Sequence, residues 1–146
     1  MAIAGRCVWC DDACIDEHGE DQEVAKAISS QRQAAEYKGL YFGGVAFKHQ
    51  RPVVDFEGAA RIAAGYMDVV TTSGEATGVP ASLDKIAAMA QGCGETALGI
   101  ASGIDPDNVG EFCEYVDVFL VATGISADFY TFDPVALGEV SAAIHQ

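Results

Sequence analysis

The segment Asp105-Pro106-x-x-x-Gly110-Glu111-Phe112 recurs in the chain as Asp133-Pro134-x-x-x-Gly138-Glu139-Val140. Each copy follows an apolar run that closes on a small hydroxylated residue and a glycine, Ile100-Ala101-Ser102-Gly103 and Val121-Ala122-Thr123-Gly124. Asp-Pro is a helix start, because Asp caps free N–H groups and Pro suits the first helical position. A second echo, Asp68-Val69-Val70 and Asp117-Val118-Phe119, closes a helix and opens a strand each time. Units repeated with the same punctuation read as βα units, which right-handed crossovers assemble into a parallel sheet.

Strand-length apolar runs fall at Arg6–Cys10, Leu40–Phe47, Asp68–Thr72, Ala97–Ala101 and Val118–Ala122. They are continuous rather than alternating, as expected where helices cover the sheet. Helices are predicted over Asp21–Tyr37, Phe56–Ala64, Leu83–Gln91, Pro106–Tyr115 and Pro134–His145, with Asp55, Ser82, Asp105 and Asp133 as N-caps and Gly39 and Gly92 as C-terminal caps. The result is an α/β (βα)5 chain without linker or low-complexity tract, read as a single domain over residues 1–146. A whole (β/α)8 barrel takes ~250 residues. Five units therefore suit a partial TIM barrel, with strands in sequence order, or a self-contained flavodoxin-like doubly wound sheet. The loop Asp11–Glu20, where a flavodoxin-like protein would carry its phosphate loop, holds five acids and one glycine, which weighs against that alternative.

Eight Lys and Arg against 22 Asp and Glu give a net charge of −14. Such a field repels nucleic acid and anionic membranes, so neither is expected as a partner, and any anion site must rely on local donors. No run approaches the ~20 apolar residues of a membrane span. Met1–Arg6 lacks the basic and apolar regions of a secretory signal. Five cysteines, an odd number without a scaffold pattern, point to a reduced, cytoplasmic protein.

From Tyr41 onward the chain resembles the C-terminal part of the BtpA family of phosphate-binding-type barrels. The resemblance is carried by Val45-x-Phe47-Lys48-His49, by Asp68-Val69-Val70-Thr71-Thr72-Ser73-Gly74-Glu75-Ala76-Thr77-Gly78 with Pro80, and by the Ala101-Ser102-Gly103-Ile104 and Ala122-Thr123-Gly124 turns. It implies the last five units of a barrel and a phosphorylated ligand. The family's strand before the Lys-His pair carries an acid, where this chain has Gly44 within Phe42-Gly43-Gly44-Val45.

Ser102, Gly103, Thr123 and Gly124 are the candidate phosphate cup, since a strand ending in glycine before a helix start offers backbone N–H groups to an anion. Small residues at tight βα turns are the plain alternative. Lys48, His49 and Glu75 are the candidate acid/base groups; Lys can also neutralise a phosphate or form an imine. Strand alternation would set Phe47 and His49 on one side and Lys48 on the other unless the strand has already ended. Ser73, Gly74, Thr77 and Gly78 form a candidate substrate loop, or simply a flexible connection. Cys7, Cys10, Cys14 and His18 have a zinc-like spacing, but alternation sends Cys7 and Cys10 to opposite faces, so no metal and no other cofactor is expected. The sequence thus points to binding of a small phosphorylated metabolite, phosphosugar- or nucleotide-like. The alternative is a non-catalytic self-association module. An open arc would expose apolar residues such as Val45, Phe47, Val70 and Leu120, which makes a homodimer or higher homo-oligomer the expected state.

Overall fold

The computed structural model describes residues 6–19 and 21–146; Met1–Gly5 and Glu20, part of the expected N-terminus and acidic loop, lie outside them. Five parallel strands, β1 (Cys7–Cys10), β2 (Leu40–Gly44), β3 (Val69–Thr72), β4 (Ala97–Ala101) and β5 (Val118–Leu120), pair in the order β1-β2-β3-β4-β5. Between them run α1 (Glu23–Ala34), α2 (Phe56–Ala63), α3 (Leu83–Cys93) and α4 (Val109–Phe112); a 3₁₀ turn at Thr123–Ile125 and α5 (Pro134–Ile144) follow β5. The sheet is open and strongly curled, a half-barrel. Sequential order excludes the flavodoxin-like alternative, whose first strand lies inside its second.

The Asp-Val echo is explained by one contact made twice. Asp68 donates its N–H to the Tyr41 carbonyl (3.0 Å) while its Oδ2 accepts the Tyr41 N–H (2.7 Å). Asp117 grips Leu98 in the same way, at 2.9 Å through its N–H and 2.9 Å through Oδ2. Each aspartate ties the strand it opens to the strand before it. Asp68 also pairs with Arg32 of α1, whose guanidinium lies over the Tyr41 ring at 5.2 Å.

Parallel register puts Trp9, Phe42, Val69 and Ala97 in one row and Gly44, Thr71, Gly99 and Val118 in the next but one. These rows share the concave face. The intervening residues Tyr41, Val70, Leu98, Ile100 and Phe119 join the helix-side core. Val70 and Val45 thus belong to the core and not to the exposed arc expected from the sequence, because a one-residue shift in strand position exchanges faces. Phe47 folds back to meet Trp9 edge-on at 5.6 Å, and Leu120 remains 37% exposed.

Element ends depart from the sequence reading where side chains intervene. β2 stops at Gly44 rather than Phe47, since Ala46 and His49 take left-handed φ of 49° and 65°. α1 is shorter than Asp21–Tyr37: buried Gln22 bonds the carbonyls of Asp16 and Gly19, and Glu36 turns the chain at φ 49°. Gly92 is not a cap. It lies inside α3, where a Cβ would stand 2.2 Å from the Glu57 carbonyl oxygen, and with fully buried Ala59, Ala60 and Ala63 it lets α2 and α3 pack closely. The cap of α3 is Gly94 (φ 59°), and Gly39 packs against the Arg6 carbonyl in the turn before β2. Asp105 is not the cap of α4: it accepts the N–H groups of Asp107 (3.0 Å) and Asn108 (3.1 Å) in the turn before it, and α4 spans only Val109–Phe112 with Asn108 at its N-cap. No helix among the described residues is long and apolar enough to cross a membrane.

Asp68→Ala removes the acceptor of the Tyr41 N–H and the partner of Arg32 together. A loss of ~1.5–3 kcal/mol is expected, the range for hydrogen bonds to charged groups, read from the urea midpoint.

Candidate functional site

All five strands point the same way, so their C-terminal ends and following loops form one rim, where parallel α/β proteins place ligands. Two clefts open on it, one to each side of the loop that follows β3. The first, about 300 Å³, is bounded by Lys48, by Thr77 and Gly78, and by the turns Ser102–Asp105 and Leu120–Gly124. The second, about 280 Å³, takes in residues 46–53 with Phe56, Gly74, Glu75 and Lys85. Lys48 borders both.

The first cleft brings together Ser102, Gly103, Thr123 and Gly124, the four residues expected to form a cup, with Lys48, Thr77 and Gly78. Lys48 Nζ donates to Thr77 Oγ1 at 3.2 Å, joining loops from two strands. Ser102 Oγ accepts the Gly78 N–H at 2.9 Å and donates to the Ala76 carbonyl at 3.3 Å. Ser102 does so from φ 81°, an uncommon conformation for a side chain-bearing residue. The glycines have a packing role of their own. A Cβ on Gly103 (φ 73°) would lie 2.2 Å from Pro80 N, and one on Gly124 would lie 2.0 Å from the Ile104 carbonyl oxygen. Each turn thus receives the backbone of the loop before it. Among the described residues the N–H groups of Gly103 and Ile104 meet no protein acceptor. Asp105, also on this cleft, has Oδ1 engaged by two N–H groups.

His49 and Glu75 line the second cleft with Gly74, so of the three candidate acid/base residues only Lys48 also borders the cup. Strand alternation does not orient Lys48 and His49, because β2 has ended before them. Ser73 borders neither cleft. It is fully buried, accepting the Lys48 N–H (2.9 Å) and donating to the Gly74 carbonyl (2.9 Å), so its role is to hold the loop rather than a substrate. At Gly44, where the resemblance implies an acid, a Cβ would come within 1.9 Å of the Asp11 carbonyl oxygen. The backbone of the β1–α1 loop occupies that place, and the Ala13 N–H bonds the Gly44 carbonyl at 2.9 Å.

Arg51 borders the second cleft but is tied down by Glu17, Asp16 (3.3 Å) and the Ile15 carbonyl (3.0 Å). The covered Glu17 carboxyl, hydrogen-bonded by Arg51, is held down to about 2. In the cysteine segment, Cys10 Sγ donates to the Asp12 carbonyl at 2.7 Å and Cys7 and Cys14 are exposed. No group of three His, Cys, Asp or Glu side chains among the described residues could hold a metal ion.

One residue escaped the sequence reading. Lys85, in the first turn of α3, reaches across to the carbonyls of Ala46 (2.6 Å) and Ser73 (2.7 Å) and lies 5.3 Å from the Phe56 ring centre. Burial lowers its pKa to about 8, against a smaller upward pull from Glu75. The available signal was its position, since a cation in a first helical turn opposes the macrodipole.

The fold and rim define a half-barrel of βα units with two strand-end clefts. An uncharacterized protein of Thermococcus kodakarensis is 32% identical over 114 residues, which are 77% of this chain and 43% of that protein. The chain thus spans less than half the length of that relative. No family model and no solved structure matches the chain.

The Glu17–Arg51 pair predicts a definite acid response. A carboxyl held below its ordinary 4.5 contributes stability that is complete above that value and is lost as pH falls towards 2. Glu17→Gln should lower stability at pH 7 and flatten the difference from wild type between pH 4.5 and 2, read from urea unfolding at stepped pH.

Proposed function

We propose that this chain is a partial phosphate-binding barrel of the BtpA type, whose first cleft binds a small phosphorylated metabolite, phosphosugar- or nucleotide-like. The observation that carries the reading is convergence. Loops after β2, β3, β4 and β5 bring one cation, three hydroxyl residues and two glycine turns to a single cleft, in a chain of net charge −14. A protein with so adverse a global field binds an anion only through local donors, and backbone N–H groups with a lysine are the donors that suit phosphate. Thr77 holds Lys48 at the cleft, and nesting of the loops on Gly103 and Gly124 sets its walls. The reading is of binding at this cleft, in a reducing, cytoplasmic setting that the five free thiols fit.

Titration with inorganic phosphate, followed by backbone amide NMR, tests it. The largest shifts are expected at residues 101–106 and 122–128, and Lys48→Met should weaken binding about tenfold, ~1.4 kcal/mol. Shifts centred elsewhere would refute the assignment. Gly103→Asp is a poor test, because its side chain would strike Pro80 and disturb the fold.

A second reading, self-association, is favoured by the concave face. Trp9 (40% exposed) and Leu120 stand open on it, β1 and β5 are sheet edges, and Phe129 and Tyr130 project from the loop beyond β5. Open edges and apolar surface of this kind recruit partners. A second copy covers both edges symmetrically. Sedimentation equilibrium should give a dimer or larger species at micromolar concentration, shifted towards monomer by Trp9→Ser with Leu120→Ser. A wild-type monomer would overturn this reading.

A further inference from the structure

We propose that the second cleft is a carbonyl-capture site, in which Lys85 condenses reversibly with a small aldehyde or keto compound bearing an anionic group. The argument begins with the geometry of the amine. Its two carbonyl partners, Ala46 and Ser73, account for two of the three positions around Nζ besides its own carbon. A neutral amine satisfies both carbonyls with its two hydrogens and keeps its lone pair. Lys85 borders a cleft of about 280 Å³, so the reactive position has room for a ligand.

The surroundings favour the neutral form and an anionic partner. Burial at the cleft wall disfavours a proton on Nζ by excluding water and the N-terminal turn of α3 does so through its dipole, outweighing the Phe56 ring, whose face supports the ammonium. Accordingly burial brings the group to about 8, near enough to neutrality for a useful fraction of free amine. The charged groups facing it across the cleft are Glu75 from the β3 loop and Lys48, His49 and Arg51 from the β2 loop. Arg51 is committed to Glu17 and Asp16, so Lys48 and His49 are the basic side chains left at the cleft to meet an anionic group, beside the one acid Glu75. The loop that supplies Ala46 is held in two left-handed residues, Ala46 and His49, and Thr72 Oγ1 also donates to the Ala46 carbonyl at 3.2 Å. Strain retained at a cleft wall fits a position whose geometry is functional.

The step balances without a further reagent. The Lys85 nitrogen lone pair attacks the carbonyl carbon, and the C=O π pair moves to oxygen. That oxygen takes up the proton released by nitrogen, giving a carbinolamine. The hydroxyl then leaves as water, taking the second proton from nitrogen, which leaves a C=N bond and releases the Ala46 and Ser73 carbonyls; addition of water reverses the sequence. His49 lines the cleft as a group able to relay these protons.

This inference stands apart from phosphate binding in the first cleft, and its probe carries no phosphate. Wild-type protein is incubated with glyoxylate and cyanoborohydride at pH 7.5, and the carboxymethylated lysines are located by peptide mass spectrometry. Lys85 is expected to be modified at least about tenfold faster than Lys38 and than Lys26, whose ammonium is held by Asp21, because burial leaves a larger share of the Lys85 amine unprotonated at this pH. Glu75→Gln should increase the Lys85 rate further by removing a charge that supports the ammonium. Equal labelling of all lysines, or a Lys85 that stays unmodified while Lys26 and Lys38 react, would overturn the proposal. So would a Glu75→Gln rate that falls.

Discussion

The paired backbone grip of Asp68 on Tyr41 and of Asp117 on Leu98 is the constraint on which the rest of the molecule depends. A parallel strand can in principle dock beside any earlier one. An aspartate that opens a strand and takes both backbone groups of one residue in the preceding strand removes that freedom for β2–β3 and for β4–β5. Two of the four sequential pairings are fixed in this way, in a sheet that is open and strongly curled. Because the strands are parallel, order also decides which loops become neighbours on the rim. The clefts are therefore downstream of two carboxylates at the far end of the sheet.

On the rim, glycine acts through backbone proximity. The turn at Gly103 lies under Val79 and Pro80, the turn at Gly124 under Ile104 and Asp105, and Gly74 under the carbonyl of Val79. Each loop rests on the next, which draws Thr77 and Gly78 to Ser102 and leaves Lys48 between the two clefts. Anion-binding character and tight packing are two consequences of the same small residues, since a turn with no side chain exposes its N–H groups and admits a neighbour. The β3 loop separates a cleft of hydroxyls and glycines from one of titratable groups. Lys85 secures that division from beneath, tying the chain just past β2 to the chain just past β3.

The concave face carries the opposite character. Its row of Gly44, Thr71 and Gly99 is small enough to allow the curl, and the row below it presents Trp9 and Phe42, which meet at 6.4 Å. In a closed barrel, side chains from opposite strands fill this space. Here Phe47 and the backbone of Asp11 fold over part of it, and Trp9 and Leu120 remain open.

Much of this was legible in residue order. Alternating apolar runs and capped helices give βα units, because period and capping are local properties: Asp55, Ser82 and Asp133 each accept the N–H groups that their position predicts. The Gly turns at Ser102 and Thr123 and the Lys48 rim position were equally readable, since strand ends of a parallel sheet share one edge. What only tertiary structure decided is which of these residues meet. Ser73 looked like a ligand contact and is a buried loop anchor. His49 and Glu75 were readable as acid/base candidates, but that they line a different cleft from the cup was not, because β2 ends at Gly44 and the chain turns through left-handed residues beyond it. Lys85 was invisible as a functional candidate, for its significance comes from two carbonyls that lie 39 and 12 residues away in sequence. Local chemistry determined which elements form; tertiary contacts set several of their ends, and the pairing of strands, a long-range contact no short segment encodes, determined the site.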